Sequence, residues 1–101
     1  MRPYYSTYVR HCLRFYVKTY EEDRTPVFKS TADHENWKAC YKALKDFPQE
    51  EMETICRIYR KGDTIEDNIY HLSKELQIHQ DTIWSMITKL ERKIAKHRGL
   101  L

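Results

Sequence analysis

From Met86 to Leu101 the chain carries Lys89, Arg92, Lys93, Lys96 and Arg98 against Glu91 alone, an excess of four positive charges. Cations at such density can neutralise consecutive phosphates of a nucleic-acid backbone. Cations near a helix C-terminus also oppose its macrodipole, so the cluster gains meaning only from the element that carries it. All 101 residues together carry a formal charge of only +3, far below that of a nonspecific coating protein, which points to a localised basic face.

Other chemistry has little support. Cys12, Cys40 and Cys56 are widely spaced, odd in number and lack a C-x-x-C pattern; each falls among apolar residues at helical spacing, which predicts reduced, buried thiols. His11, His34, His71, His79 and His97 contain no i, i+4 pair, so no metal is expected. Gly62 and Gly99 are the only glycines, which excludes a glycine-rich phosphate cradle and leaves no cofactor to propose. Neither a G-x-S-x-G elbow nor an H-E-x-x-H motif occurs, and Glu50, Glu51 and Glu53 suit the opening of a helix. No catalytic residues are assigned, and an enzyme is not expected.

The elements that must position the basic cluster follow from periodicity. Hydrophobic residues make up 41% and charged residues 33% of the chain, with no run of about 18 apolar residues, which predicts one soluble domain over 1–101. Arg10 and Arg14 break the apolar block a secretory signal would need, so the cytoplasm is the expected location. Tyr5, Tyr8, Val9, Cys12, Leu13, Tyr16, Val17 and Tyr20 define the stripe of a first helix over 3–20, with Pro3 in its first turn. Arg10, Arg14 and Lys18 form an i, i+4 row read as a solvated basic face, with phosphate contact as the other reading. EEDRTPVFKS, 21–30, is a connector.

A second helix starts at Ser30, Thr31 or Asp33 and runs to about Lys45, with Trp37, Cys40, Tyr41 and Leu44 as its buried face. A third runs from Pro48 to Lys61, with Met52, Ile55, Cys56 and Tyr59 inward and Gly62 as a left-handed stop. Capping residues in DTIEDN, 63–68, open a fourth helix carrying Ile69, Leu72, Ser73 and Leu76. A fifth starts at Gln80 or Asp81, carries Ile83, Met86, Ile87, Leu90 and Ile94, and ends near Arg98 before Gly99. No stretch alternates with period two long enough for a strand. The predicted fold is all-α, about five helices, with a C-terminal helix-turn-helix packed on N-terminal amphipathic helices.

The helix-turn-helix is read from LSKELQIHQDTIW, 72–84, where a polar break from Gln77 to Gln80 separates two amphipathic runs. A short turn lets the two helices cross steeply, with Ile78 as a plug between them and Leu72, Leu76, Ile83 and Met86 completing the wedge. Ser73 is small enough for close approach, and Asp81, His79 or Gln80 can cap the second helix.

With small Ser73, these apolar positions and Thr82 ahead of Ile83, the stretch resembles the helix-turn-helix of region four in bacterial sigma factors. TKLERKIAKHR is similar to the basic tail of that region, with Leu90 and Ile94 as apolar anchors, and FPQEEMETICRIYRKGD to its first helix. The likeness covers about residues 47–98, leaving 1–46 as a separate N-terminal helical part. Overall the chain resembles the small sigma-like proteins of phages and mobile elements. It departs at Gln77, where the family usually has glycine; a side-chain residue there would adopt a left-handed backbone at a cost of about 1–2 kcal/mol.

The resemblance implies DNA-binding in transcription regulation, with double-stranded DNA as partner and RNA polymerase as a second one. It implies base-facing places for Gln80, Asp81, Thr82, Trp84 and Ser85, with phosphate contacts from Lys89, Arg92, Lys93 and Lys96. Trp84 also has a reading as a packing residue on the N-terminal helices, and Asp81 as a carboxylate favourable at any helix start. Two other functions use the same shape. One is a protein-interaction module, an inhibitor or adaptor, using an aromatic cluster of Trp84, Tyr4 and Phe15. The other is a small DNA-recognition subunit of a phage packaging machine, which would require a ring oligomer.

Overall fold

The computed structural model describes residues 3–23, 26–60 and 62–101. Five α-helices follow in order: α1 Ser6–Glu21, α2 Thr31–Leu44, α3 Gln49–Arg60, α4 Ile65–Leu76 and α5 Gln80–His97. The described residues contain no strand, so the all-α expectation holds. Arg24 and Thr25 of the connector, and Lys61 at the expected end of the third helix, lie outside the described residues.

Each start has a local cause. Pro3 precedes α1, and its carbonyl accepts from the Ser6 N–H at 3.1 Å. Ser30 caps α2 by accepting from the Asp33 N–H at 3.2 Å, and Thr64 caps α4 by accepting from the Asp67 N–H at 3.1 Å. Glu50 and Glu51 lie in the first turn of α3, where carboxylates favour the positive end of the helix dipole.

The last carbonyls of α3 are met by side chains from other helices. Asn68 of α4, itself buried, donates Nδ2–H to the Ile58 carbonyl at 2.8 Å. Arg14 of α1 donates to the carbonyls of Tyr59 at 3.2 Å and Asp63 at 2.7 Å. Helix α5 ends as its sequence predicts: Gly99 takes φ +71°, and the Leu100 N–H returns to the Ala95 carbonyl at 2.8 Å.

α1 packs against α2, α3 and α5, while α5 also touches α2 and α4. One apolar core results, built on Val9, Leu13 and Val17 of α1 and on Ile83, Ile87, Leu90 and Ile94 of α5, with Ile55, Ile58 and Ile69 closing it. Tyr8, Tyr20 and Tyr41 were expected to face this core and are exposed instead. Tyr41 stacks on Trp37 at 5.6 Å between centroids, and the Tyr8 hydroxyl donates to Asn36 Oδ1 at 2.9 Å. A phenol at the rim keeps its hydroxyl wet while its ring covers apolar neighbours.

The basic row of α1 is the main correction. Arg10 is 8% exposed and lies inside, where its Nε–H donates to Glu91 Oε2 of α5 at 2.9 Å and its Nη1–H to Glu66 Oε1 of α4 at 3.1 Å. Glu91 is 5% exposed, and the fully buried Tyr59 phenol sits close to both charges. Burial works against the Arg10 charge, but hydrogen bonding and attraction to Glu91, then Glu66, outweigh it and raise the guanidinium pKa. Burial first, and the Glu91 charge second, push the Tyr59 phenol well above its ordinary range. Arg14 is committed to the end of α3, so only Lys18 of the row is fully solvated.

The thiols are free and buried, as expected. Burial pushes Cys12 and Cys56 from an ordinary 9.0 to about 11, and Cys40 higher still. A thiol that keeps its proton in the folded chain after the unfolded chain has released it makes folding weaker as pH rises. Their contribution is therefore complete below pH 9.0 and declines toward pH 11. Urea midpoints should fall between pH 9 and 11, less steeply in a Cys12→Ala, Cys56→Ala chain compared with its own value at pH 8. Breaking the ion pair should cost more: Arg10→Ala removes the guanidinium that offsets the buried charge of Glu91, and urea unfolding should show a loss of about 3–5 kcal/mol. Arg10→Met combined with Glu91→Leu should recover most of it.

Candidate nucleic-acid interface

The turn between α4 and α5 is built by one residue. Gln77 adopts φ 55°, ψ 42°, the left-handed conformation, and its N–H bonds to the Ser73 carbonyl. The Ile78 N–H bonds to the same carbonyl at 3.1 Å, closing a Schellman-type ending. Ser73 is buried and turns its hydroxyl to the Tyr70 carbonyl at 2.7 Å, so its small side chain brings no unmet polar group to the helix crossing. His79 caps α5, its Nδ1 accepting from the Asp81 N–H at 3.2 Å. The polar break is thus a left-handed C-cap at Gln77 and an N-cap at His79 within four positions.

The wedge is only partly as expected. Leu72, Ser73 and Ile83 are buried and Met86 is half-buried, but Leu76 and Ile78 are each 41% exposed. The left-handed step at Gln77 swings Ile78 out of the crossing and onto the edge of a groove between the start of α3 and α5. Phe47, Thr54 and Met86 share that groove with it.

On α5 the exposed residues Asp81, Ser85, Lys89, Arg92 and Lys96 follow at steps of four, four, three and four, which sets them along one outward face. Thr88, exposed between Ser85 and Arg92, borders this face; its one-turn spacing from both was the signal that could have found it. Gln80 and Thr82 are exposed in the first turn. Lys93 lies beside the row, with Nζ 5.7 Å from the Phe47 ring centroid.

Trp84 does not join the outward residues. It is half-buried against the core, with the Arg10 guanidinium 5.8 Å from its ring centroid. Residue 84 lies two turns before Glu91, so both side chains look toward Arg10. Trp84 therefore takes the packing role. Arg98 also leaves the basic surface: it is half-buried and donates Nε–H to Asn36 Oδ1 at 2.6 Å.

These two placements change the composition of the charge without changing its size. Glu91 is turned inward to Arg10 and Arg98 toward α2, so the exposed tail consists of Lys89, Arg92, Lys93 and Lys96 with no carboxylate among them. Such a surface can hold a polyanion, while the shorter polar side chains at the start of α5 can exchange hydrogen bonds with it.

The aromatic cluster expected for a protein partner is dispersed. Tyr4 reaches the Leu100 carbonyl, Phe15 sits beside Phe28 about three turns further along, and Trp84 is on the α5 side. No helix among the described residues is long and apolar enough to cross a membrane. No family model matches the chain, and no curated protein or solved structure matches it either.

Glycine reaches the left-handed region without a Cβ penalty, so Gln77→Gly should stabilise the chain by roughly 1 kcal/mol, part of the gain being lost to the freer unfolded chain. A higher urea midpoint at unchanged slope is the expected reading.

Proposed function

We propose that this protein is a DNA-binding transcription regulator that lays α5 in a major groove in the manner of sigma region four. The observation that supports it is the outward row of α5, polar at its start and cationic beyond, on the second helix of the pair joined by the tight turn at Gln77. Gln80 suits the paired donor and acceptor of adenine, Asp81 the amino group of cytosine, and Thr82 and Ser85 either bases or phosphate. Lys89, Arg92 and Lys96 then meet phosphates, with Lys93 joining from its place over Phe47.

The test is selection of bound duplexes from a randomised pool at low and physiological salt. A motif that survives the higher salt is the expected result, and loss of all binding removes this reading. Arg92→Ala should weaken binding to every duplex and lower the slope of log affinity against log salt by about 1. An unchanged slope would take Arg92 off the phosphate backbone.

The exposed pair Leu76 and Ile78 favours a second contact, with RNA polymerase, beside the DNA face. Leu76→Ser with Ile78→Ser, which removes apolar surface without adding charge, should weaken capture by polymerase on promoter DNA by at least about tenfold while changing affinity for the bare duplex by less than about twofold.

A further inference from the structure

A cleft outside the helix-turn-helix runs between α1 and the chain that enters α2, and it encloses about 440 Å³. That volume lies within the range of about 300–1,000 Å³ typical of small-molecule sites. Its walls are apolar: Cys12 and Phe15 come from α1 and Val27 from the opposite side. Phe28 stands next to Phe15, with ring centroids 6.5 Å apart. Val27 is 82% exposed, a large apolar side chain placed at the mouth of a cleft.

Cations outnumber carboxylates around these walls. Lys18 of α1 and Lys29 across from it are both exposed at the rim, and Arg14 and His11 also line the cleft, against the single carboxylate of Asp33. Lys18 is the residue of the α1 row that neither the core nor the end of α3 uses. An apolar trough under several cations is complementary to a molecule with an apolar body and an anionic head. A bare phosphate would meet the lysines but gain nothing from Phe15 or Val27, and a neutral hydrocarbon would gain nothing from the lysines.

We propose that this cleft binds a small amphipathic anion: an aromatic or branched aliphatic body bearing one carboxylate, sulfonate or phosphate. The head lies between Lys18 and Lys29, and the body lies on Phe15 and Val27. The site is independent of the DNA reading, since none of its lining residues belongs to α4 or α5.

Titration of the isotope-labelled full chain with 4-phenylbutyrate, its neutral amide and inorganic phosphate, followed by amide chemical shifts, tests this. Phenylbutyrate should shift Cys12, Phe15, Val27 and Lys29 together, with the amide binding about tenfold more weakly. Lys18→Glu with Lys29→Glu should erase that difference. Val27→Glu, at an exposed position, should weaken phenylbutyrate without altering the melting temperature, which keeps the test valid if the double variant folds poorly. Equal binding of acid and amide would overturn the proposal. So would phosphate alone matching phenylbutyrate at the same amides, which would make the rim a plain anion site that makes no use of the apolar walls, or shifts confined to other parts of the chain.

Discussion

An arginine and a glutamate placed inside the core, Arg10 and Glu91, set the conditions for everything around them. Desolvating two full charges is unfavourable, and it is offset only when the pair meets at hydrogen-bonding distance with its remaining valences satisfied. The 2.9 Å contact, the second bond to Glu66 and the guanidinium near Trp84 meet that condition. They do so only when α1, α4 and α5 stand at one particular mutual position. The ion pair thus adds a directional requirement to the apolar packing of the same three helices.

The outward face of α5 inherits its character from that pair. With Glu91 committed to Arg10, the solvent sees lysines and an arginine without a compensating acid. The same side chain therefore fixes the helix on its inner side and leaves the outer side of its C-terminal half cationic. Asn36 has a comparable double role, accepting from Tyr8 of α1 and from Arg98 at the end of α5, so the two longest helices and α2 meet at one amide oxygen.

Much of this was legible in sequence. Five helices, the caps at Ser30 and Thr64, the left-handed Gly99 and the break around Gln77 all follow from local backbone chemistry, which short-range patterns report well. What a pattern does not report is which neighbour covers a given face. Leu76 and Ile78 have the right type for the wedge, yet Leu76 ends α4 exposed and the αL step at Gln77 turns Ile78 outward. Tyr41 keeps helical spacing with Cys40 and Leu44 but stands at the edge of the buried stripe. Arg10 and Glu91 depart from the pattern for a different reason: charged residues are so rarely buried that their type points to the surface even where their position points inward. The signal was present, since Arg10 lies one turn from Ser6 and Leu13, and Glu91 one turn from Ile87 and Ile94, each a lone charge within an apolar stripe.

The internal ion pair also bears on where this chain could be divided. The resemblance drawn from sequence spans about residues 47–98, and a cut near residue 46 would follow its edge. Yet Arg10, the partner of Glu91, and Arg14, which holds the end of α3, both reside in α1. An excised C-terminal half would keep its acid and lose the base meant for it, along with the apolar cover of Val9, Leu13 and Val17. The pair α4 and α5 is therefore not separable from the N-terminal part: the inner face of α1 is a wall of the core that α5 also lines, and a piece cut without α1 would open that core to water.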